Sequence, residues 1–178
     1  YLIIFTISML YIIGGTGFVV LMDIKRCKRW KGLSTNSKLI LSTIAGLNLI
    51  AFVLLWAIES NNPLTLAPMS LGDQALNAWF HATVPRSSGF NSLDLAQMKD
   101  ASTLVTMLLR FIGGGSMSTA GGIKVGTFII VLLSVISFLR REDEIRVFNH
   151  SVSQKTSFKA MAVVSITAAL IFLGIFSL

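Results

Sequence analysis

The chain has 178 residues, of which 53% are hydrophobic and 13% charged, against about 25% charged in an ordinary soluble domain. With a mean hydropathy of +0.75, this excludes a typical soluble globule and points to an all-α integral membrane protein. The net charge of +7 raises nucleic-acid binding, but ten of the fifteen Lys and Arg residues fall in two polar loops and an eleventh, Lys159, lies just beyond the second, with only Trp30 and Phe148 as aromatics in those loops, so no nucleic-acid partner is expected. The eleven are Lys25, Arg26, Lys28, Arg29, Lys31 and Lys38, then Arg140, Arg141, Arg146, Lys155 and Lys159. Such clustering follows the positive-inside rule, which puts loops 23–38 and 140–157 on the cytoplasmic side of a plasma (inner) membrane crossed several times.

Residues 1–22 form a first apolar segment, interrupted by "GGTG" at Gly14–Gly17. It opens on "YLIIFTISMLYIIGG" with no initiator Met, charged leader or cleavage site, so no signal peptide is read. The far end, "LIFLGIFSL", is also apolar, and both ends read as cut from something longer. Cys27 is the sole cysteine and gives no disulfide framework. Residues 39–58, "LILSTIAGLNLIAFVLLWAI", match a ~30 Å hydrocarbon core.

The stretch from 59 to 101 contains no spanning helix. Within it "SLGDQALNAWFHATV" predicts a short helix over 73–83, with Ser70 and Asp73 as a capping box. Leu71, Ala75, Leu76, Trp79 and Phe80 give it an apolar stripe. It is too short to cross, and the turn-like "VPRSSGFN" follows in a loop over 84–91. An extracellular amphipathic helix and a half-helix dipping into the membrane both fit this spacing.

Residues 102–139 are too long for one span at ~1.5 Å per residue. Ser102–Ile112 and Thr127–Leu139 are each too short, and Gly113–Gly122 between them contains five glycines. Two half-helices joined by a loop are predicted. Such irregular backbone is tolerated at membrane depth only inside protein or beside water. Residues 158–178 form a last span, with Lys159 able to snorkel at its cytoplasmic end.

"IIGG" at Ile12–Gly15 and "FIGG" at Phe111–Gly114 recur 99 positions apart, each after an apolar helix. The order of parts is that of a potassium-channel subunit: span, re-entrant pore helix, loop, broken span. On this plan residues 1–22 end one repeat, 39–139 are a complete one, and 158–178 begin another. On this plan the pore in this chain is expected to be incomplete.

If helix 73–83 dips inward, its C-terminal partial charge favours a cation. Val84, Pro85, Arg86, Ser87, Ser88, Gly89 and Phe90 would then run outward as an ion-selectivity filter. Potassium would be held by backbone carbonyls near Ser87, Ser88 and Gly89. Pro85 has no N–H to satisfy. Arg86, turned away from the axis, would brace the loop against a carboxylate or backbone carbonyls. Asp94 is its candidate partner, a charge at the mouth, or an ordinary surface acid. Lys124 beside the glycine loop is either part of a closed barrier or a cap on carbonyls freed by the break. Arg110 is read as a structural partner for a buried carbonyl or carboxylate.

No enzymatic motif emerges. The glycine loop does not fit a phosphate-binding pattern, and His81 and His150 are read as ordinary polar residues. No cofactor is expected; potassium is the expected substrate, with sodium as a second candidate.

"PRSSGFNSLDL" and "FIGGGSMSTAGGIKVGTF", in this order and spacing, resemble the Trk/Ktr/HKT superfamily of potassium transporters, closest to the bacterial Ktr-type membrane subunit. The family's I-G-G-S-x-x-S-T-A-G-G-I-K loop is matched over Ile112–Lys124, with Gly115 where Ser is usual and Met117 at a usually small position. Its R-T-A-G-F-N-T pattern is matched with Ser87 and Ser88 in the middle. The resemblance implies a four-repeat pore, of which this chain holds the end of the second repeat, the third, and the start of the fourth. It implies a gate at Gly113, Gly114, Gly115, Ser116, Met117, Ser118, Thr119, Ala120, Gly121 and Gly122, with Lys124 at its edge. It also implies a homodimer in the lipid bilayer, regulated by a cytoplasmic ring of nucleotide-binding subunits; the basic loops are either docking surfaces for that ring or topology signals only. A secondary transporter of another ion or solute, using the broken helix at the midplane, stays open. So does a membrane scaffold without transport.

Overall fold

A computed structural model describes residues 2–27, 29–86, 90–118, 120–141, 145–147, 150–152 and 154–176. Its helices are α1 (Leu2–Thr16), α2 (Phe18–Arg26), α3 (Thr35–Glu59), α4 (Leu71–Thr83), α5 (Asp100–Phe111), α6 (Val125–Leu139) and α7 (Gln154–Phe176). Turns of 3-10 helix lie at Trp30–Gly32, Val84–Arg86 and Leu95–Gln97. The second basic loop is not plain coil. Strands β1 (Ile145–Val147) and β2 (His150–Val152) pair antiparallel there, with Ile145 opposite Val152.

α3 is the post around which the rest is arranged. Its 25 residues span ~37 Å at the usual rise, and it reaches beyond the apolar run at both ends. The Ser34 hydroxyl accepts from the Ser37 N–H at 3.2 Å, capping the start. The Ser34 N–H in turn donates to Asp23 Oδ2 at 2.9 Å, tying the cap to α2. α3 and α7 are each long and apolar enough to cross a membrane. α1 and α2 make a third candidate span, bent by 93° at the single residue Gly17.

The core is built in three tiers along α3. Nearest its start, Ile40 and Ile44 pack with Val20, Ile112 and Val125, so α2 and both edges of the glycine loop meet there. Further along, Ala51 and Leu55 pack with Ala82 from α4, Leu109 from α5 and Met98 from the loop before α5. At the far end Leu66, Ala78 and Leu93 form a third cluster. Beside it Phe52 stacks on Trp56 at 5.7 Å and meets Trp79 edge-on at 5.9 Å, geometries that suit the ring quadrupole.

α4 begins where the capping pattern predicts: Ser70 Oγ accepts from the Asp73 N–H at 3.3 Å and donates to Asp73 Oδ2 at 2.8 Å. At 13 residues it is ~20 Å long. It packs against both α3 and α1, so it is a half-length helix held inside the bundle rather than an amphipathic helix apart from it. α5 and α6 are likewise too short to cross alone, with 12 and 15 residues.

Candidate functional site

The two interrupted helices meet at their interruptions. Gly17 has φ 92° and ψ 147°, a region populated essentially by glycine that would strain an L-residue by about 1–3 kcal/mol. A Cβ there would also collide with the Ser116 carbonyl. On the other side of the joint, the Gly115 N–H donates to the Gly15 carbonyl at 2.7 Å, and a Cβ on Gly115 would collide with the Thr16 carbonyl. The missing side chains on both helices are therefore one feature. They let two irregular backbones approach closely enough to bond each other.

The glycine loop is held at its neck by three backbone bonds. Gly113 N–H donates to Ile123 O at 2.8 Å, Ile123 N–H to Phe111 O at 2.9 Å, and Val125 N–H to Gly114 O at 2.9 Å. Ile112 and Ile123 form a single parallel bridge across the neck, and both are buried. A Cβ on Gly113 would collide with the Gly121 carbonyl, so the neck closes only on a bare backbone. These bonds satisfy groups that lipid would leave unpaired.

Beyond the neck the loop opens into a lobe. Ser116 and Met117 are exposed, with Met117 at φ 58°. The Ser118 N–H donates to Gly115 O at 3.2 Å. Thr119 lies outside the described residues, Ala120 is buried, and Gly121 and Gly122 are exposed, the latter at φ 72°. Lys124 bends back over this lobe: its Nζ donates to Ala120 O at 2.9 Å and to Ser118 O at 3.5 Å. Of the two roles expected for Lys124, capping freed carbonyls is the one its contacts display. Arg110 differs from expectation; its residue is exposed on α5 rather than partnering a buried acceptor.

The segment assigned to the filter also differs. Val84–Arg86 does not run outward as extended backbone but continues α4 as a turn of 3-10 helix, and all three residues are buried. Contacts with α1 and α5 hold this turn, and the ring of Pro85 tolerates a helical φ as readily as an extended one. Ser87, Ser88 and Gly89 lie outside the described residues, and Phe90 is exposed. Asp94 is not the brace for Arg86. It is exposed and caps the turn Leu95–Gln97, accepting from the Ala96 N–H at 3.0 Å.

A cavity of about 20 Å³ joins these parts. It is lined by Thr83 and Arg86 from the end of α4, Asn48 from α3, and Gly15 and Gly114 from the two helix breaks, with Tyr11 among the rest. The half-helix thus ends where both interruptions meet.

Two polar residues that pattern reading passed over stand out. Asn48, in the middle of α3, is buried. Glu59, at its far end, is 1% exposed and gathers four donors. Its Oε1 accepts from the Lys99 N–H at 2.9 Å and Ser102 Oγ at 2.6 Å, and its Oε2 from Asn62 Nδ2 at 2.7 Å and Thr65 Oγ1 at 2.5 Å. Lys99 Nζ donates to the Ile58 carbonyl at 2.7 Å beside it. This carboxylate ties the outer loop and the start of α5 to the end of α3. The available signal was a polar side chain within or bounding an apolar span, which is costly unless it has work there. His81 is 1% exposed on α4, and neither ring nitrogen has a hydrogen-bond partner among the described residues.

The profile of the family described as "TrkH: Cation transport protein" matches residues 33–177. The chain is 42% identical over 172 residues to the Ktr system potassium uptake protein B of Bacillus subtilis (strain 168), covering 97% of this chain and 39% of that protein. It is 37% identical to the protein of the same name from Vibrio alginolyticus, over 99% of this chain and 39% of the relative. The chain therefore spans about two fifths of the length of these relatives. Its fold matches the crystal structure of the potassium transporter TrkH from Vibrio parahaemolyticus with a TM-score of 0.71, over 93% of this chain and 36% of that one, at 21% identity.

Proposed function

The chain belongs to the TrkH family of cation transport proteins, and we propose that it is a portion of the ion-translocating subunit of a potassium uptake system. The observation that carries this reading is the shared cavity where the end of α4 meets both helix breaks. A half-helix directing its C-terminal carbonyls inward supplies partial negative charge for a dehydrated cation. Beyond Arg86, the segment through Phe90 forms the filter, with potassium ligated by carbonyls near Ser87, Ser88 and Gly89.

The loop from Gly113 to Gly122 acts as the gate. Its neck is bonded on both sides and its lobe is held by Lys124, so the lobe is the part able to move while the neck stays fixed. The basic loops face the cytoplasm of a plasma membrane, where they present docking surfaces to a ring of nucleotide-binding regulatory subunits. The complete protein supplies the remaining filter segments and pairs as a homodimer. Sodium is a candidate second ion.

The test is potassium-against-sodium permeability of the complete protein in vesicles, comparing wild type with Gly89→Ser. A changed ratio supports a filter at this segment, and an unchanged ratio in folded protein removes the segment from the filter.

A further inference from the structure

Asn48 lies in the apolar middle of α3, where an amide is costly unless it is paired. It is 3% exposed, and its Oδ1 has no hydrogen-bond partner among the described residues. On the wall of the same cavity stands Arg86, 8% exposed, with Nε and Nη2 both without a partner among the described residues. An acceptor without a donor and donors without an acceptor thus border one small space. Its volume of about 20 Å³ holds one water, since roughly 10–15 Å³ suffices.

The other walls make that water consequential. Gly15 O and Gly114 O each already accept one backbone N–H, at 2.7 and 2.9 Å, and a carbonyl retains a second lone pair. We propose that Asn48 and Arg86 form a water-bridged polar joint that fixes the filter segment against both helix breaks. Asn48 is then a positioning residue for ion selectivity, acting through Arg86. Held in this joint, the guanidinium points back into the cavity; released, it swings and shifts positive charge relative to the ion path. The proposal rests on the filter reading of the segment beyond Arg86.

The experiment uses the complete protein in vesicles, measuring sodium and rubidium flux together with thermal stability in detergent. Asn48→Leu keeps the bulk and deletes the amide. Its sodium-to-rubidium flux ratio is expected to rise roughly five- to tenfold, the worth of one hydrogen bond. Arg86→Gln should do the same, and the double variant no more than either single change, because both sever one joint. Asn48→Asp, which can pair with the guanidinium directly, should keep the wild-type ratio. An unchanged ratio in folded Asn48→Leu overturns the proposal, as do effects that multiply in the double variant. A purely structural role would lower stability and total flux and leave the ratio alone. If Asn48→Leu does not fold, Asn48→Ala, which also deletes the amide, provides the same readout. Gly89→Ser separates the two levels of inference: if it too leaves the ratio unchanged, the filter reading fails, and if it alone changes the ratio, only the joint fails.

Discussion

Replacing Lys124 by alanine removes a side chain that closes the lobe of the glycine loop while leaving the neck intact. Three backbone bonds hold the neck, at 2.8, 2.9 and 2.9 Å, and none involves the Lys124 side chain. The lobe loses the Nζ bond to Ala120 O at 2.9 Å and the longer contact to Ser118 O at 3.5 Å. The longer one lies at the limit of hydrogen-bond geometry and adds little. A bond from a charged donor contributes about 1.5–3 kcal/mol, and because Lys124 is only half-buried the lower end, about 1.5 kcal/mol, applies. That is roughly a tenfold shift toward a displaced lobe. If the closed lobe obstructs the path, basal rubidium uptake by the complete protein, measured without regulatory subunits, rises by up to about tenfold in Lys124→Ala. Lys124→Met, which keeps the stem and loses the donor, should match it, and Lys124→Arg should stay near wild type. Unchanged or reduced uptake at equal protein levels would refute the barrier role and leave Lys124 as a carbonyl cap alone.

Gly17→Ala places a methyl group against the Ser116 carbonyl at a positive φ, and is expected to abolish uptake and lower the melting temperature. Gly14→Ala, three residues earlier in open space, should be tolerated in the same two assays. Glu59→Gln turns one acceptor into a donor facing either Asn62 and Thr65 or Lys99 and Ser102. The unmatched pair should cost on the order of 3 kcal/mol, read as a clear fall in melting temperature, and a melting temperature equal to wild type would remove Glu59 from the support of α5. Gly89→Ser should alter the potassium-to-sodium permeability ratio, the direct check on the filter assignment.

Hydropathy, charge asymmetry and helix-breaking glycines are properties of short stretches, and they act through solvent and local backbone geometry. That is why the apolar segments, the half-length helix with its Ser70–Asp73 cap and the interruption after Ile112 were legible in the sequence. Local pattern could not say how far α3 extends, because its start depends on Ser34 being held by Asp23 of a different helix. Nor could it show that Val84–Arg86 continues α4 as a turn, since Pro85 suits either course and the packing of α1 and α5 decides between them. The similarity of "IIGG" and "FIGG" marked two breaks, but only the tertiary structure brought them together. A glycine states that a side chain is absent; what fills the space depends on the rest of the chain. Here the Ser116 carbonyl fills it at Gly17 and the Thr16 carbonyl fills it at Gly115. Asn48 and Glu59 make the same point for polar groups. Each carries one plain letter in or beside an apolar run, and each takes its role from partners brought to it by elements distant in sequence.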